Sequence, residues 1–135
     1  MLEALSHIAL VVKDPPRTAA LFRDLFSARV IERKDEEGHL ETFVRVGGVW
    51  LVLVGAPVER TRTGDHIAFR ATPALLEATA ARLEAMGREF IRARADSALY
   101  FFDYDDHVFE LDTGDIEQEL GVTGDEAIPA PVLHD

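Results

Sequence analysis

The sequence predicts an α+β domain built from two copies of a β-α-β-β-β module, and three observations support this class. The phrase SHIAL at residues 6–10 returns as DHIAF at residues 65–69. Each copy is followed by a proline-marked helix, and each helix by short apolar runs separated by turns. Two copies are too few for a solenoid array. We therefore expect two modules, at about residues 1–56 and 64–120, that pair into a curved sheet around a cleft.

Composition excludes several classes of function. The chain has 135 residues, enough for one domain with a real core, and it contains no cysteine. Disulfide bonds, thiolate metal sites and a thiol nucleophile are therefore excluded. The net charge of −11 argues against nucleic acid and anionic membranes, because their phosphates would be repelled. A cytoplasmic protein is expected, since neither a signal peptide nor an apolar run of about 18 residues is present.

Local signals place the elements of the first module. Asp14 can cap a helix that begins at Pro15 and ends near residue 28, since proline suits the first turn. The pair Gly47-Gly48 indicates a two-residue hairpin. The strands of this module are predicted at residues 7–12, 30–33, 41–46 and 49–54.

The second module repeats this plan. Pro73 opens its helix, and Gly87 suits the position just after the helix end. Strands are predicted at residues 66–70, 89–91, 99–102 and 108–111, a polar loop at 92–97 and a short helix at 115–120. Residues 121–135 are expected to form an extended or poorly ordered tail.

Three residues suggest a metal site. His7 and His66 hold equivalent strand positions, and Glu110 is the acidic residue of an otherwise apolar strand. Two imidazoles and one carboxylate suit a divalent cation and leave coordination positions open for water or substrate. When the hairpin turns of the modules are aligned, Glu110 matches Val52, which cannot bind a metal, so three protein ligands are expected. The alternative is that the histidines are hydrogen-bonded core residues and Glu110 is a surface charge at a strand end.

At these residues the chain resembles the vicinal oxygen chelate superfamily, which includes glyoxalases, bleomycin resistance proteins and extradiol dioxygenases. Within it, the chain is most similar to the fosfomycin resistance proteins and their manganese-dependent epoxide hydrolase branch. The similar phrases are LSHIALVVKD, DHIAF, LYFFDYDDHVFEL and the TGD that follows, within residues 2–120. The resemblance implies metal ligands at His7, His66 and Glu110, the first from one subunit and the others from its partner. It therefore implies a module-sharing homodimer that binds Mn(II), with Fe(II), Zn(II) and Ni(II) as alternatives.

The resemblance also implies a reaction, the addition of water to an epoxide in a small-molecule substrate. Glu41 falls where the hydrolase branch carries its general base, although it could instead be an exposed strand residue. Tyr100 is expected to orient the substrate. The substrate-binding residues that we expect are Trp50, Arg92, Arg94 and Tyr100.

Three positions depart from the family pattern and bear on the substrate. Ala9 stands where Thr is usual, Ala98 where Ser is frequent, and Glu119 where an Arg that contacts the phosphonate is expected. A carboxylate beside a phosphonate replaces attraction with repulsion. The substrate can therefore differ from fosfomycin. Two further functions are considered, a small-molecule sequestering protein of the bleomycin resistance type and another superfamily reaction, such as ring-cleaving dioxygenation or glyoxalase-type isomerisation.

Overall fold

The computed structural model describes residues 1–122. It contains two four-stranded sheets and three helices, which confirms the predicted α+β class. The elements are β1 (His7–Val12), α1 (Pro15–Phe26), β2 (Arg29–Lys34), β3 (Leu40–Val46), β4 (Val49–Gly55), β5 (His66–Arg70), α2 (Pro73–Ala85), β6 (Phe90–Ala93), β7 (Ala98–Phe102), β8 (Val108–Asp112) and α3 (Ile116–Leu120). Of the expected tail at residues 121–135, residues 123–135 lie outside the described residues.

The two sheets have the same topology. Their strand orders are β1-β4-β3-β2 and β5-β8-β7-β6, with the first strand of each module parallel to the last and the other pairs antiparallel. Ala9 pairs with Val52 in the first sheet, and Ala68 pairs with Glu110 in the second. This register confirms the equivalence of Val52 and Glu110 that the sequence alignment predicted.

Short-range chemistry sets the helix and turn boundaries. The side chain of Asp14 accepts a hydrogen bond from a first-turn backbone N–H of α1, and that of Thr72 does the same for α2, with prolines at the helix starts. Gly47 and Gly48 have φ values of 58° and 75°, as a type I′ hairpin requires. The predicted end of the strand at residues 89–91 was wrong, because β6 continues to Ala93 and includes Arg92.

The core joins the two modules. Phe22 of α1 is fully buried and packs edge-on against Phe109 of the second sheet, with ring centroids 5.1 Å apart. Phe101 stacks on Phe109 at 5.3 Å, so one aromatic cluster spans both modules. Arg82 of α2 donates a hydrogen bond of 2.6 Å to the carbonyl oxygen of Leu25 at the end of α1. The helix of the first module therefore packs on its own sheet and also reaches the sheet of the second through its phenylalanines.

The helices cover only one face of each sheet, and we call the other face the open face. Strand residues alternate between the two faces, so the buried Leu51 and Phe109 face the core while their neighbours face outward. The open faces carry His7, Ala9, Glu41, Phe43, Trp50 and Val52 in the first sheet, and His66, Ala68, Tyr100, Val108 and Glu110 in the second. Every predicted metal ligand thus lies on an open face. None of the helices within residues 1–122 is long and apolar enough to cross a bilayer.

Candidate active site

The open face of the second sheet brings two of the predicted metal ligands together. His66 begins β5 and Glu110 lies in the neighbouring strand β8. The Nε2 atom of His66 is 3.0 Å from an oxygen of Glu110, whose side chain is only 5% exposed. Two ligands that each lie about 2.1 Å from one ion, at a right angle, are about 3.0 Å apart. The separation therefore suits two adjacent ligands of one metal ion.

The hydrogen bonding of His66 determines which group can lie between these two atoms. Its Nδ1 atom is 2.9 Å from the carbonyl oxygen of Gly64, which can only accept, so Nδ1 carries a hydrogen. In the neutral ring, Nε2 then presents a lone pair to the carboxylate of Glu110. Two electron-rich atoms this close need a proton or a cation between them. One imidazole nitrogen, oriented by a carbonyl group, and one carboxylate oxygen fit a divalent metal ion.

Arg94 contacts the other oxygen of the same carboxylate. Its Nη2 atom donates a hydrogen bond to Glu110, and its Nη1 atom lies 3.3 Å from the Tyr100 hydroxyl oxygen. These hydrogen bonds, to Tyr100 and to Glu110, raise the pKa of Arg94 above its usual value, so the guanidinium stays charged. The buried carboxylate therefore has an internal countercharge. One of its two oxygens is left facing His66.

Tyr100 lies beside this pair. It is directly opposite Glu110 in the antiparallel ladder of β7 and β8, so the two side chains share the open face. Its ring packs edge-on against His66, with centroids 5.6 Å apart. The Tyr100 hydroxyl accepts from Arg94 and keeps its own hydrogen available for another acceptor. A cavity of about 420 Å³ opens over His66 and Tyr100.

The open face of the first sheet brings together the other predicted residues. His7, Glu41 and Trp50 all line one cavity of about 480 Å³. Apolar side chains, among them Phe43 and Val52, form much of its remaining wall. The Nδ1 atom of His7 is 2.9 Å from the Ser6 hydroxyl oxygen. A carboxylate, an imidazole and an indole thus face the same open cavity.

The three predicted metal ligands do not meet within one chain. Among residues 1–122, no group of three or more histidine and carboxylate side chains is close enough to hold an ion. His7 lies in the cavity of the first sheet, and the pair of His66 and Glu110 lies on the second sheet. One of the three ligand candidates therefore lies on the first module and two lie on the second.

Arg92 lies away from the other predicted site residues. It pairs with Leu99 across β6 and β7, and Leu99 faces the core, so Arg92 points to the helix side of the sheet. There it makes a two-pronged ion pair with Glu77 of α2, at 2.8 and 2.9 Å. The hydrogen bond to Arg92 lowers the pKa of Glu77 below its ordinary value. Alternation along the strand thus separates Arg92 from Tyr100.

Sequence reasoning missed Arg33. Its Nε atom donates a hydrogen bond of 3.2 Å to Glu41, and both side chains line the cavity that holds His7. The two residues are direct partners in the antiparallel ladder of β2 and β3. The pair could have been found by aligning the two predicted strands as an antiparallel ladder, because that register places Arg33 opposite Glu41 and opposite charges across a ladder attract each other.

The three departures from the family pattern have different surroundings. Ala9 lies on the open face of β1, two residues from His7, and is exposed. Ala98 is fully buried at the start of β7. Glu119 is exposed on α3.

Comparison with known proteins identifies the family. The model of the glyoxalase/bleomycin resistance protein/dioxygenase superfamily matches residues 4–111. Fosfomycin resistance protein FosX of Listeria monocytogenes is 31% identical over 128 residues, which cover 89% of this chain and 96% of that protein. Metallothiol transferase FosB of Staphylococcus epidermidis is 27% identical over 132 residues, which cover 89% of this chain and 90% of that protein.

A solved structure of a FosX variant from Listeria monocytogenes, complexed with Mn(II) and 1S,2S-dihydroxypropylphosphonic acid, is also similar. Its TM-score is 0.78 at 34% identity, with 89% of this chain and 99% of that chain covered. The family model, the two relatives and the solved structure all match most of this chain, and the family match at residues 4–111 extends into both repeated modules. The chain belongs to the glyoxalase/bleomycin resistance protein/dioxygenase superfamily.

Proposed function

We propose that this protein is a metal-dependent hydrolase that adds water to the epoxide of a small molecule. The observation that carries the proposal is that Glu41 and His7 face one cavity of about 480 Å³. A carboxylate beside a metal-ligand candidate is the arrangement that water addition needs, a base close to a Lewis acid. The similarity to fosfomycin resistance protein FosX, over 89% of the chain, supports the same reaction class.

The proposed metal centre is shared between two copies of the chain. His66 and Glu110 of one copy, together with His7 of a second copy, form a set of three ligands. The uncovered open faces support this arrangement, because each carries part of the set and the helices lie on the other side. Mn(II) is the first candidate, since a similar FosX structure contains it. A divalent ion held there would supply Lewis acidity toward the epoxide oxygen.

The side chains of this chain then perform the proton transfers. Glu41 takes a proton from water while the water oxygen forms a bond to one epoxide carbon and the carbon–oxygen bond of the ring breaks. The released oxygen takes a proton from solvent water and protonated Glu41 returns its proton to solvent, so the net reaction converts one epoxide and one water into a vicinal diol. Tyr100 donates a hydrogen bond to the substrate, because its hydroxyl hydrogen is not used by Arg94. Trp50 packs against the apolar part of the substrate in the cavity.

The charges around the site bear on the substrate. Arg94 already neutralises Glu110, and Arg33 already pairs with Glu41. Glu119 adds a negative charge on α3, the helix that follows β8. Arg45, whose guanidinium lies over the Trp50 ring at 5.5 Å from its centroid, is a further cation beside the cavity of His7. We propose that a neutral epoxide, whose binding needs no cation, is turned over at least as well as fosfomycin.

The test measures diol formation. Chelator-treated protein is reconstituted with Mn(II), Fe(II), Zn(II) or Ni(II) and incubated with fosfomycin or with styrene oxide, and the products are analysed after the metal is removed. We expect diol only with metal, and loss of turnover in Glu41→Gln, which keeps its metal. Full turnover by Glu41→Gln, or diol formation without metal, would overturn the proposed mechanism. An added L-cysteine arm distinguishes thiol addition, the type of reaction that the FosB relatives' name, metallothiol transferase, describes.

A metal-free binding protein is the second candidate function. The contact of Arg94 with Glu110 favours it, because the buried carboxylate then has a countercharge without any metal ion. Elemental analysis of protein purified without added metal separates the two functions. Stoichiometric divalent metal supports the hydrolase, whereas metal-free protein that binds epoxides without converting them supports sequestration.

A further inference from the structure

A third cavity, of about 360 Å³, lies where the two modules meet. It shares no lining residue with the cavities that hold His7 and His66. Its volume lies in the range of small-molecule sites, which begins at roughly 300 Å³. Apolar side chains from both modules form one part of its wall: Phe26, Val46, Phe69, Leu75 and Leu111. The proposed reaction makes no use of this cavity.

Three arginines line the same cavity, namely Arg29, Arg45 and Arg70. Arg29 and Arg45 are direct partners in the ladder of β2 and β3, where two like charges destabilise the sheet. Arg70 has a carboxylate partner, Asp115, at 3.2 Å. Within residues 1–122, neither Arg29 nor Arg45 has an acidic side chain within 4.0 Å. Such a cluster is unexpected in a chain with a net charge of −11, and an anion would relieve its repulsion.

The apolar side of the cavity is preformed. Gly47, in the turn between β3 and β4, has a φ of 58°, and a Cβ atom there would lie 2.3 Å from the Phe69 ring. The turn of the first module therefore rests directly on a side chain of the second. Since only glycine permits this approach, packing against the turn fixes the Phe69 ring in the cavity wall.

We propose that this cavity binds a small organic anion, a phosphate or carboxylate group attached to an apolar body of about the size of one ring. The anionic group contacts Arg29 and Arg45, because guanidinium groups form paired, charge-assisted hydrogen bonds with such oxygens. The apolar body packs against Phe26 and Phe69. Arg45 also lies over the Trp50 ring, 5.5 Å from its centroid, so this cavity adjoins the one that holds His7. Anion binding itself requires neither the metal nor the proposed hydrolase reaction.

The test is a titration of metal-free protein with phenyl phosphate, at constant ionic strength, by calorimetry and amide NMR. Inorganic phosphate, benzoate and neutral benzyl alcohol are titrated in parallel. We expect saturable binding of one phenyl phosphate, with chemical-shift changes at Gly47 and Phe69. Inorganic phosphate, which lacks the apolar body, and benzyl alcohol, which lacks the charge, should each bind at least about ten-fold more weakly. Benzoate shows whether a carboxylate replaces the phosphate.

The variants are Arg29→Gln and Arg45→Gln, each made separately, with Arg23→Gln as the matched control. Arg23 is exposed on α1 and does not line the cavity, so the control makes the same change in net charge elsewhere. Each cavity variant should weaken phenyl phosphate binding about ten-fold, and the control should stay within two-fold. Absence of saturable binding to the wild type, equal loss in the control, or shifts confined to His7 and His66 would overturn the proposal.

Discussion

Replacing Glu110 with glutamine keeps the shape of the side chain and removes the negative charge that the proposed metal needs. The amide can donate a hydrogen bond to Nε2 of His66, whose Nδ1 hydrogen already points to Gly64. The amide oxygen can still accept from Arg94. Without metal, we therefore expect the free energy of unfolding to change by no more than about 1 kcal/mol.

The expected loss concerns the metal. Changes in groups that only support a metal ligand weaken metal binding about 10- to 100-fold, so loss of a ligand charge should weaken it about 100-fold or more. At a metal concentration of about 100 times the wild-type Kd, binding stabilises the wild type by about 2.7 kcal/mol. The variant, whose Kd then equals that concentration, gains only about 0.4 kcal/mol. The metal-dependent difference between the two proteins is therefore about 2.3 kcal/mol.

Urea unfolding of both proteins, with and without Mn(II), measures this difference, and calorimetry gives the affinities directly. Glu77→Gln is the matched control, because Glu77 also pairs with an arginine, Arg92, but on the helix side of the sheet. Its metal affinity should equal that of the wild type. If Glu110→Gln binds Mn(II) within two-fold of the wild type, Glu110 is not a metal ligand and the assignment of the centre is wrong.

Three further changes test the site and the fold. Glu41→Gln should lower kcat for diol formation by about 10²- to 10⁴-fold, measured by steady-state kinetics. Its Mn(II) affinity, measured by calorimetry, should stay unchanged. An unchanged kcat would contradict the role of Glu41 as the base. Phe22→Ala should lower the free energy of unfolding, measured in urea, by about 3–5 kcal/mol, because Phe22 is fully buried against Phe109. A loss below about 1 kcal/mol would show that the aromatic cluster does not join the modules. Gly47→Ala should destabilise the protein by about 1–3 kcal/mol in the same assay, because its Cβ would meet Phe69, and a stabilising effect would contradict the turn geometry.

The strands were largely predictable because their signals are local. The strand at residues 66–70 and the hairpin at Gly47 and Gly48 agree with the structure, since alternation and turn chemistry involve only neighbouring residues. The surroundings of Arg92 were not predictable in this way. The strand β6 ends two residues later than predicted and therefore includes Arg92. Because strand side chains alternate between the two faces of a sheet, Arg92 points to the helix side and contacts Glu77.

The sequence by itself determined the repeated modules, the α+β class and the residue types of a metal site, because repetition, periodicity and ligand chemistry can be read without coordinates. Tertiary structure alone decided that Glu110 lies 3.0 Å from His66 and contacts Arg94, and that Arg33 pairs with Glu41. These contacts depend on strand register and on helix packing between modules, which join residues far apart in the chain. A short stretch of sequence specifies neither.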